Sequence, residues 1–576
     1  MTHKREKENF DPILLEVLWN RLVSIAEEQA RTLIRAAFST ILRETEDLSC
    51  GIFDPHGNMV VQAVTGTPGH VNSMATGVRH FLTKFPPPGL REGDVLITND
   101  PWQVSGHLND ITIVTPVFYR KRLVAFTACT GHVMDIGGRV YSADSSELFE
   151  EGFTIPIQKI FTGGKRNEEL FEFIQYNVRI PREVTGDILA LISSNDVGSR
   201  KIADFMEEFG LTTLDPLASQ IMAVSEKAVR KAIRALPRGT YTNEMEIDGF
   251  DEPLKIVCTI TIKDSNMVVD FSGSSSQTNR AINVVLNYTQ GYTLYAVKVA
   301  VCPHIPNNDG NFRPVKVVAP EGCILNARRP CAVAARHIIG HFLPPAVFGV
   351  LSQVIPDRVL SDSSISGNTQ LDGFTCDGRR FIFNYFTSGG MGARPSKDGL
   401  STTCFPGNVS NTPVEVIENA SPLFISRIEL VTDSGGAGKY RGGLGQVVST
   451  KIRSDKPATF SCMYDRLKFP PRGFFGGKHG LQAEVKVVGT RGEMKPHPKK
   501  KFGLEPGDEI SVRYAGGGGF FSPLERDPEK VREDVLNGYV SIEGAEKEYG
   551  VAVHPDTLEV VLDRTLDLRT KREGTV

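Results

Sequence analysis

Two β-like runs, Ile111 to Phe118 (ITIVTPVF) and Leu123 to Thr130 (LVAFTACT), are separated by four polar residues, Tyr119-Arg120-Lys121-Arg122. A connection of that length is one that hairpins use, so the runs are expected to pair antiparallel. Pairing brings their flanks together: GHLND (106–110) leads into the first run and GHVMD (131–135) leaves the second. Register counted from the loop puts Asp110 opposite Gly131 and beside His132, and His107, three residues earlier, can fold over the same end. The chain has only 12 histidines, so two converging Gly-His-x-x-Asp pentapeptides need an explanation.

Two imidazoles and a carboxylate at one hairpin end form a metal-ligand set. Nitrogen with oxygen suits zinc, manganese, iron or cobalt, whereas an all-oxygen cage would point to calcium or magnesium. Three protein ligands leave a position open for substrate. A lone His at a strand end more often satisfies backbone groups, and it is the convergence of two motifs that favours metal. Asp135, followed by Ile136-Gly137-Gly138, suits a turn or an orienting role. Asp47, His70 and Asn72 lie on neighbouring loops, and Glu147, Glu150 and Glu151 follow in SSELFEEG. The candidates for catalytic groups are Asp135, His70 and Glu151, although the plainer reading of the glutamate cluster is a solvated helix face. Ser105, His107 and Asp110 crowd one turn and make a poor nucleophilic triad.

The rest of the chain alternates helix and strand signals. Asp11-Pro12 starts a long amphipathic helix in which Leu15, Leu18, Leu22 and Ile25 recur at helical spacing. Short strands follow around Asp54-Pro55-His56-Gly57-Asn58, and helical period dominates from about 183 to 236. The expected fold is mixed α+β in several domains: 1–180, an α+β metal-site region; 181–240, a helical layer; 241–360, a second α+β region; 361–525, Gly-rich and β-rich; and 526–576, a terminal helix and tail.

Composition narrows the function. A net charge of -3 over 576 residues gives no reason to expect a nucleic-acid partner. The opening MTHKREKENF lacks the apolar core of a signal peptide, which implies a cytoplasmic protein. The apolar segment from Ile338 to Pro356 carries a His, a Gln and Pro344-Pro345, so it is expected to be a buried, interrupted helix rather than a membrane span. The 9 cysteines have no C-x-x-C spacing and are read as reduced, mostly buried thiols. GGAGKYRGGLG, from Gly435, has Tyr440 where a phosphate-binding loop needs Ser or Thr, and AGGGGFF, from Ala515, has no Lys.

Several stretches resemble the hydantoinase B/oxoprolinase family: EDLSCGIFDPHGNMVVQA, TNDPWQVSGHLNDITIVTPVF, GHVMDIGG, FEEGFTIP, DSGGAGKYRGGLG and AGGGGFFSP, in one order along essentially the whole chain. The resemblance implies one half of a two-component, ATP-dependent enzyme. A hydantoinase A-like partner would bind ATP-Mg and phosphorylate the substrate oxygen, and this chain would hold a divalent zinc, manganese or iron ion. Asp47, His107, Asp110 and His132 carry over as its ligands. Implied substrates are small cyclic amides such as hydantoins, oxoproline or lactams, with acetone- or acetophenone-type carboxylation as the alternative. A hetero-oligomer is implied, with the Gly-rich C-terminal half as a surface that could receive the partner.

Overall fold

In the computed structural model, which describes residues 10–573, Asp11 caps helix α1 (Pro12–Ala36). Its Oδ1 accepts from the amides of Ile13 at 3.0 Å and Leu14 at 3.1 Å, groups that a helix start otherwise leaves open. Leu15, Leu18, Leu22 and Ile25 are buried, as their spacing requires. The charged opening stretch before Phe10 lies outside the described residues.

The chain forms two compact units. One holds the residues up to Thr242 with Val257–Pro344 and Asn408–Ser410; the other holds Asn243–Ile256, Pro345–Gly407 and the chain from Asn411 onward. The first unit is built on an antiparallel sheet of β1 (Leu48–Phe53), β2 (Met59–Gly66), β3 (Val95–Thr98), β4 (Asp110–Tyr119), β5 (Arg122–His132), β6 (Gln158–Thr162) and β7 (Lys165–Arg166), in the order β2-β1-β5-β4-β3-β6-β7. β4 and β5 are the expected hairpin, with a tighter turn than the sequence indicated. Arg120 and Lys121 alone make it, at φ 50° and 66°, the double left-handed turn whose twist matches the strands.

Register runs Tyr119↔Arg122 and Phe118↔Leu123, then Val117↔Ala125, leaving Val124 as a bulge, and ends at Asp110↔His132. Asp110 therefore faces His132 directly rather than Gly131, because the extra residue advances β5 by one position.

Helices α2 (Thr40–Arg43), α3 (Pro68–Lys84), α4 (Leu148–Glu151), α5 (Glu168–Asn177), α6 (Pro181–Glu208) and α7 (Asp215–Arg234) complete this part. Successive β5 side chains point to opposite faces. Phe126 and Ala128 pack with Met74, Val78 and Phe81 of α3, while Cys129 Sγ reaches the Leu191 carbonyl of α6 at 3.3 Å. Covered on both faces, β4 and β5 are buried along most of their length.

A second sheet follows, β11-β10-β9-β8, from β8 (Gly239–Ile247), β9 (Leu254–Lys263), β10 (Asn266–Asp270) and β11 (Val315–Val318). Helix α8 (Leu286–Val301) packs on α3. After α9 (Asp309–Phe312) come α10 (His337–Gly340) and α11 (Leu343–Leu351). The Pro344-Pro345 pair thus sits in the first turn of α11, where missing amides cost least. Among the described residues no helix is long and apolar enough to cross a membrane. No disulfide joins the cysteines, and Cys50, Cys129, Cys258, Cys323 and Cys462 are buried.

The second unit has two further sheets packed around Phe383, Tyr385, Phe460, Tyr464, Ile510 and Val512. Its glycine runs are core rather than surface. A Cβ on Gly516, Gly517, Gly518 or Gly519 would fall 1.7, 2.1, 2.0 or 2.3 Å from the carbonyl oxygen of Ser434, Met391, Arg472 or Ala437 respectively. The amides of Gly517, Gly518 and Gly519 donate to the carbonyls of Gly443, Asp362 and Lys478, each at 2.9 Å. Backbone packs directly on backbone there, and only glycine fits.

Candidate metal centre

Asp47 immediately precedes β1, His132 ends β5 and Asp110 opens β4. Since β1, β5 and β4 are adjacent and antiparallel, all three residues fall at the same end of the sheet. The Asp47 carbonyl accepts from the His132 amide at 3.2 Å. The first turn of α3 adds His70, and the residue before that helix, Thr67, donates its hydroxyl to Asp47 Oδ1 at 3.1 Å. His107 arrives on the loop entering β4. The glycines of the two pentapeptides serve different ends. Gly106 has φ +95°, and a Cβ there would lie 2.8 Å from Arg336 Cδ; a Cβ on Gly131 would lie 2.9 Å from Leu42 Cδ2.

Ligand-type atoms of His107, Asp110 and His132 lie within 4.8 Å of one another, and all three residues are buried. His107 Nε2 is 2.6 Å from Asp110 Oδ1, and His132 Nδ1 is 3.5 Å from the same oxygen and 3.8 Å from Asp47 Oδ2. His70 joins them, with Nε2 3.0 Å from Asp110 Oδ2 and Nδ1 3.7 Å from Asp47 Oδ1.

Charge in this cluster is strongly biased. Burial, then the Arg336 guanidinium, pushes His107 down to about 3. Burial opposes ionisation of Asp110, yet His107, His70 and Arg336 together hold its carboxyl well below the usual range. Burial likewise disfavours a charged His70, but Asp110 and Asp47 outweigh it and raise its pKa.

His107 Nδ1 lies 2.8 Å from the Ala334 carbonyl, which can only accept, so Nδ1 carries the hydrogen. Nε2 is then the atom turned toward the Asp110 carboxylate, at 2.6 Å. A backbone-anchored imidazole beside carboxylates is the donor set a divalent transition ion takes, so the residues present fit a metal.

The other expected residues are placed differently. Asp135 is engaged by Arg179, Nη1 to Oδ1 at 2.8 Å, and accepts from the Gly137 amide at 3.2 Å. Glu151 is not on a solvated face: it is 3 % exposed, and Oε1 accepts from the amides of Val333 at 2.7 Å and Ala334 at 2.8 Å. Burial drives its pKa up to about 8 against the pull of those amides. Glu150 does face solvent, bonded to Ser146. Asn72 donates to the Gly291 carbonyl at 2.9 Å.

Sequence reasoning missed Arg336, whose Nη2 bonds Asp110 Oδ2 and whose Nε donates to the Ser105 carbonyl at 2.6 Å, and the neighbouring Tyr141 and His337. A signal existed: CAVAARHIIGHF, from Cys331, sets an Arg and two His in an apolar run, which a buried segment rarely carries without a partner.

The fold and this cluster define a two-unit α+β protein with a buried histidine–carboxylate centre at a sheet end, suited to a divalent ion. The chain belongs to the hydantoinase B/oxoprolinase family, whose model matches residues 11–523. It is 31 % identical to a protein of Pseudomonas sp. (strain NS671) assigned provisionally as the B component of a D-/L-hydantoinase, over 97 % of this chain and 98 % of that one. The crystal structure of the ATP-dependent caprolactamase from Pseudomonas jessenii matches with a TM-score of 0.89 at 26 % identity, over 98 % of this chain and 100 % of that one. The nucleotide-free structure of an acetone carboxylase shares the fold, with a TM-score of 0.89 at 20 % identity over 100 % of this chain and 84 % of that one.

Proposed function

We propose that this chain is the metal-containing half of a cytoplasmic, two-component, ATP-dependent amidohydrolase that opens a cyclic amide of hydantoin, oxoproline or lactam type. A hydantoinase A-like partner would bind ATP-Mg and phosphorylate the amide oxygen. The observation that carries the reading is the buried cluster of His107, Asp110 and His132, whose ligand-type atoms lie within 4.8 Å of one another. The relatives named as a hydantoinase component and as an ATP-dependent caprolactamase support it.

Amide resonance makes the carbonyl a poor electrophile, and phosphorylating its oxygen removes that protection. When bound, a zinc, manganese or iron ion would supply Lewis-acid activation of water near neutral pH. Asp47, His107, Asp110 and His132 are the residues that would hold it. His70 spans the two carboxylates, and its Nδ1 has no hydrogen-bond partner; it takes the proton of the attacking water and returns it to the departing ring nitrogen, and the acyl phosphate left by C–N cleavage is hydrolysed by a second water to carboxylate and inorganic phosphate. Asp135 and Glu151, candidates for catalysis on sequence alone, are assigned to positioning. Asp135 fixes the turn after β5 through Arg179, and Glu151 clamps the Val333–Ala334 backbone that anchors His107.

The test is metal analysis of the purified chain, then ATP consumption with the partner present across hydantoins, lactams, 5-oxoproline and, with bicarbonate, ketones. Ring-opened product with matching ATP use is expected. A metal-free chain, or carboxylated ketone as the sole product, would overturn the proposal.

A further inference from the structure

Tyr141 and His337 adjoin the centre without being among its expected ligands. The Tyr141 ring stands edge-on to both candidate ligand imidazoles, with centroids 5.7 Å from His107 and 5.4 Å from His132. Its hydroxyl lies 2.9 Å from His337 Nδ1. A phenol, with its ordinary pKa of about 10, keeps its proton at neutral pH. A buried O–H needs an acceptor, and Nδ1 is the partner it has. Nδ1 therefore accepts, and the hydrogen of neutral His337 sits on Nε2. Burial first, then His341 and Arg336, keeps that ring uncharged.

His337 Nε2 is buried without a hydrogen-bond partner, in a side chain only 6 % exposed. Leaving such a donor unpaired is unfavourable. The neighbouring cation does not take the same part: Arg336 is committed to Asp110 and Ser105 and lies over the Tyr288 ring at 4.1 Å. The cluster thus pairs its charged donor with protein and leaves the neutral N–H of His337 without a partner, one ring, Tyr141, away from the ligand imidazoles.

We propose that His337 donates a hydrogen bond from Nε2 to an oxygen of the molecule that reacts at this centre, a carbonyl or phosphoryl oxygen, and that Tyr141 is the positioning residue that fixes its tautomer. The assignment rests on the function proposed above. A preorganised neutral donor aimed at a developing negative oxygen is a large source of rate enhancement.

The test uses the full chain with its partner and whichever panel compound is turned over. His337→Leu is expected to keep wild-type metal content and lose about 10²–10³-fold in kcat/KM, the usual cost of one such donor. His337→Gln, which restores an N–H near the same place, is expected to recover much of it. Tyr141→Phe is expected to cost about 10-fold, as a supporting residue does. That cost should vanish in the His337→Gln background, because an amide has no tautomer to fix. Wild-type turnover in His337→Leu, or loss of its metal, would overturn the proposal, and a Tyr141→Phe cost that persists beside His337→Gln would overturn the role of Tyr141.

If the wild type turns over nothing on the panel, the functional reading fails and binding decides this one separately. Inorganic phosphate titrated calorimetrically into the metal-loaded chain should bind at least about 10-fold more weakly to His337→Leu, a change of about 1.4 kcal/mol. Equal affinity, or no phosphate binding by the wild type, would overturn it.

Discussion

Asp110 is the residue on which the centre turns. Its two oxygens meet His107, His132, His70 and Arg336, so one carboxylate balances a buried cation and several imidazoles. Replacing a ligand empties the site without removing that balance: His107→Ala and His132→Ala should each lower bound metal to background by elemental analysis, and full metal content in either would remove the ligand assignment. Asp110→Asn is a different experiment. It leaves Arg336 buried and uncompensated, which costs about 3–5 kcal/mol when one partner of a buried pair is removed. Denaturant unfolding of the metal-free proteins should show that loss, and adding Arg336→Met should recover more than half of it while metal binding stays absent. A double variant no more stable than Asp110→Asn would show that the pair is not what the charge serves.

At the scale of elements, the strands and helices that carry the centre were legible and their fine register was not. The capped start of α1, the β4–β5 hairpin and the convergence of His107, Asp110 and His132 followed from hydrophobic period, turn chemistry and spacing. The Val124 bulge did not, since an extra residue on one strand leaves the apolar pattern of a doubly covered hairpin unchanged. Asp47 came from family likeness, because its approach depends on β1 pairing with β5, a strand far along the chain. Glu151 was misread as solvated because what buries it is the loop at Val333–Ala334, distant in sequence. That burial makes a pH prediction. The carboxyl is raised from 4.5 to about 8, so the folded chain binds a proton that the unfolded chain releases. The stability it contributes is full below about pH 4.5 and is lost as pH rises through about 8. Glu151→Gln keeps an acceptor for both amides and cannot ionise. Its melting temperature should match the wild type at low pH and exceed it above pH 8, and parallel pH profiles would contradict a buried neutral Glu151.

At the scale of the whole molecule, each of the two units has an interior built on different physics. The first buries apolar helices against a sheet and places every candidate ligand at one end of it. The second adds a core of glycine runs, where carbonyls of neighbouring segments occupy the space any side chain would need. A glycine cluster in sequence is ambiguous between a phosphate loop and such packing, and the absence of a Lys-Ser/Thr pair, which argued against phosphate, also left the packing reading open. The division predicts separable responses. Removing metal with a chelator withdraws binding energy from the folded state of the first unit, so hydrogen exchange should quicken in segments 41–49, 66–74, 105–112 and 129–135 and stay unchanged in 433–445 and 514–520. Gly517→Ala forces a Cβ to 2.1 Å from the Met391 carbonyl, overpacking that typically costs about 1–3 kcal/mol and more where backbone cannot move. It should quicken exchange at 388–394, 433–445 and 514–520 while metal content holds at the wild-type level. If both perturbations raised exchange equally across both sets of segments, the chain would be unfolding as one cooperative block, and the glycine core would be as much a support of the metal centre as the sheet that carries its ligands.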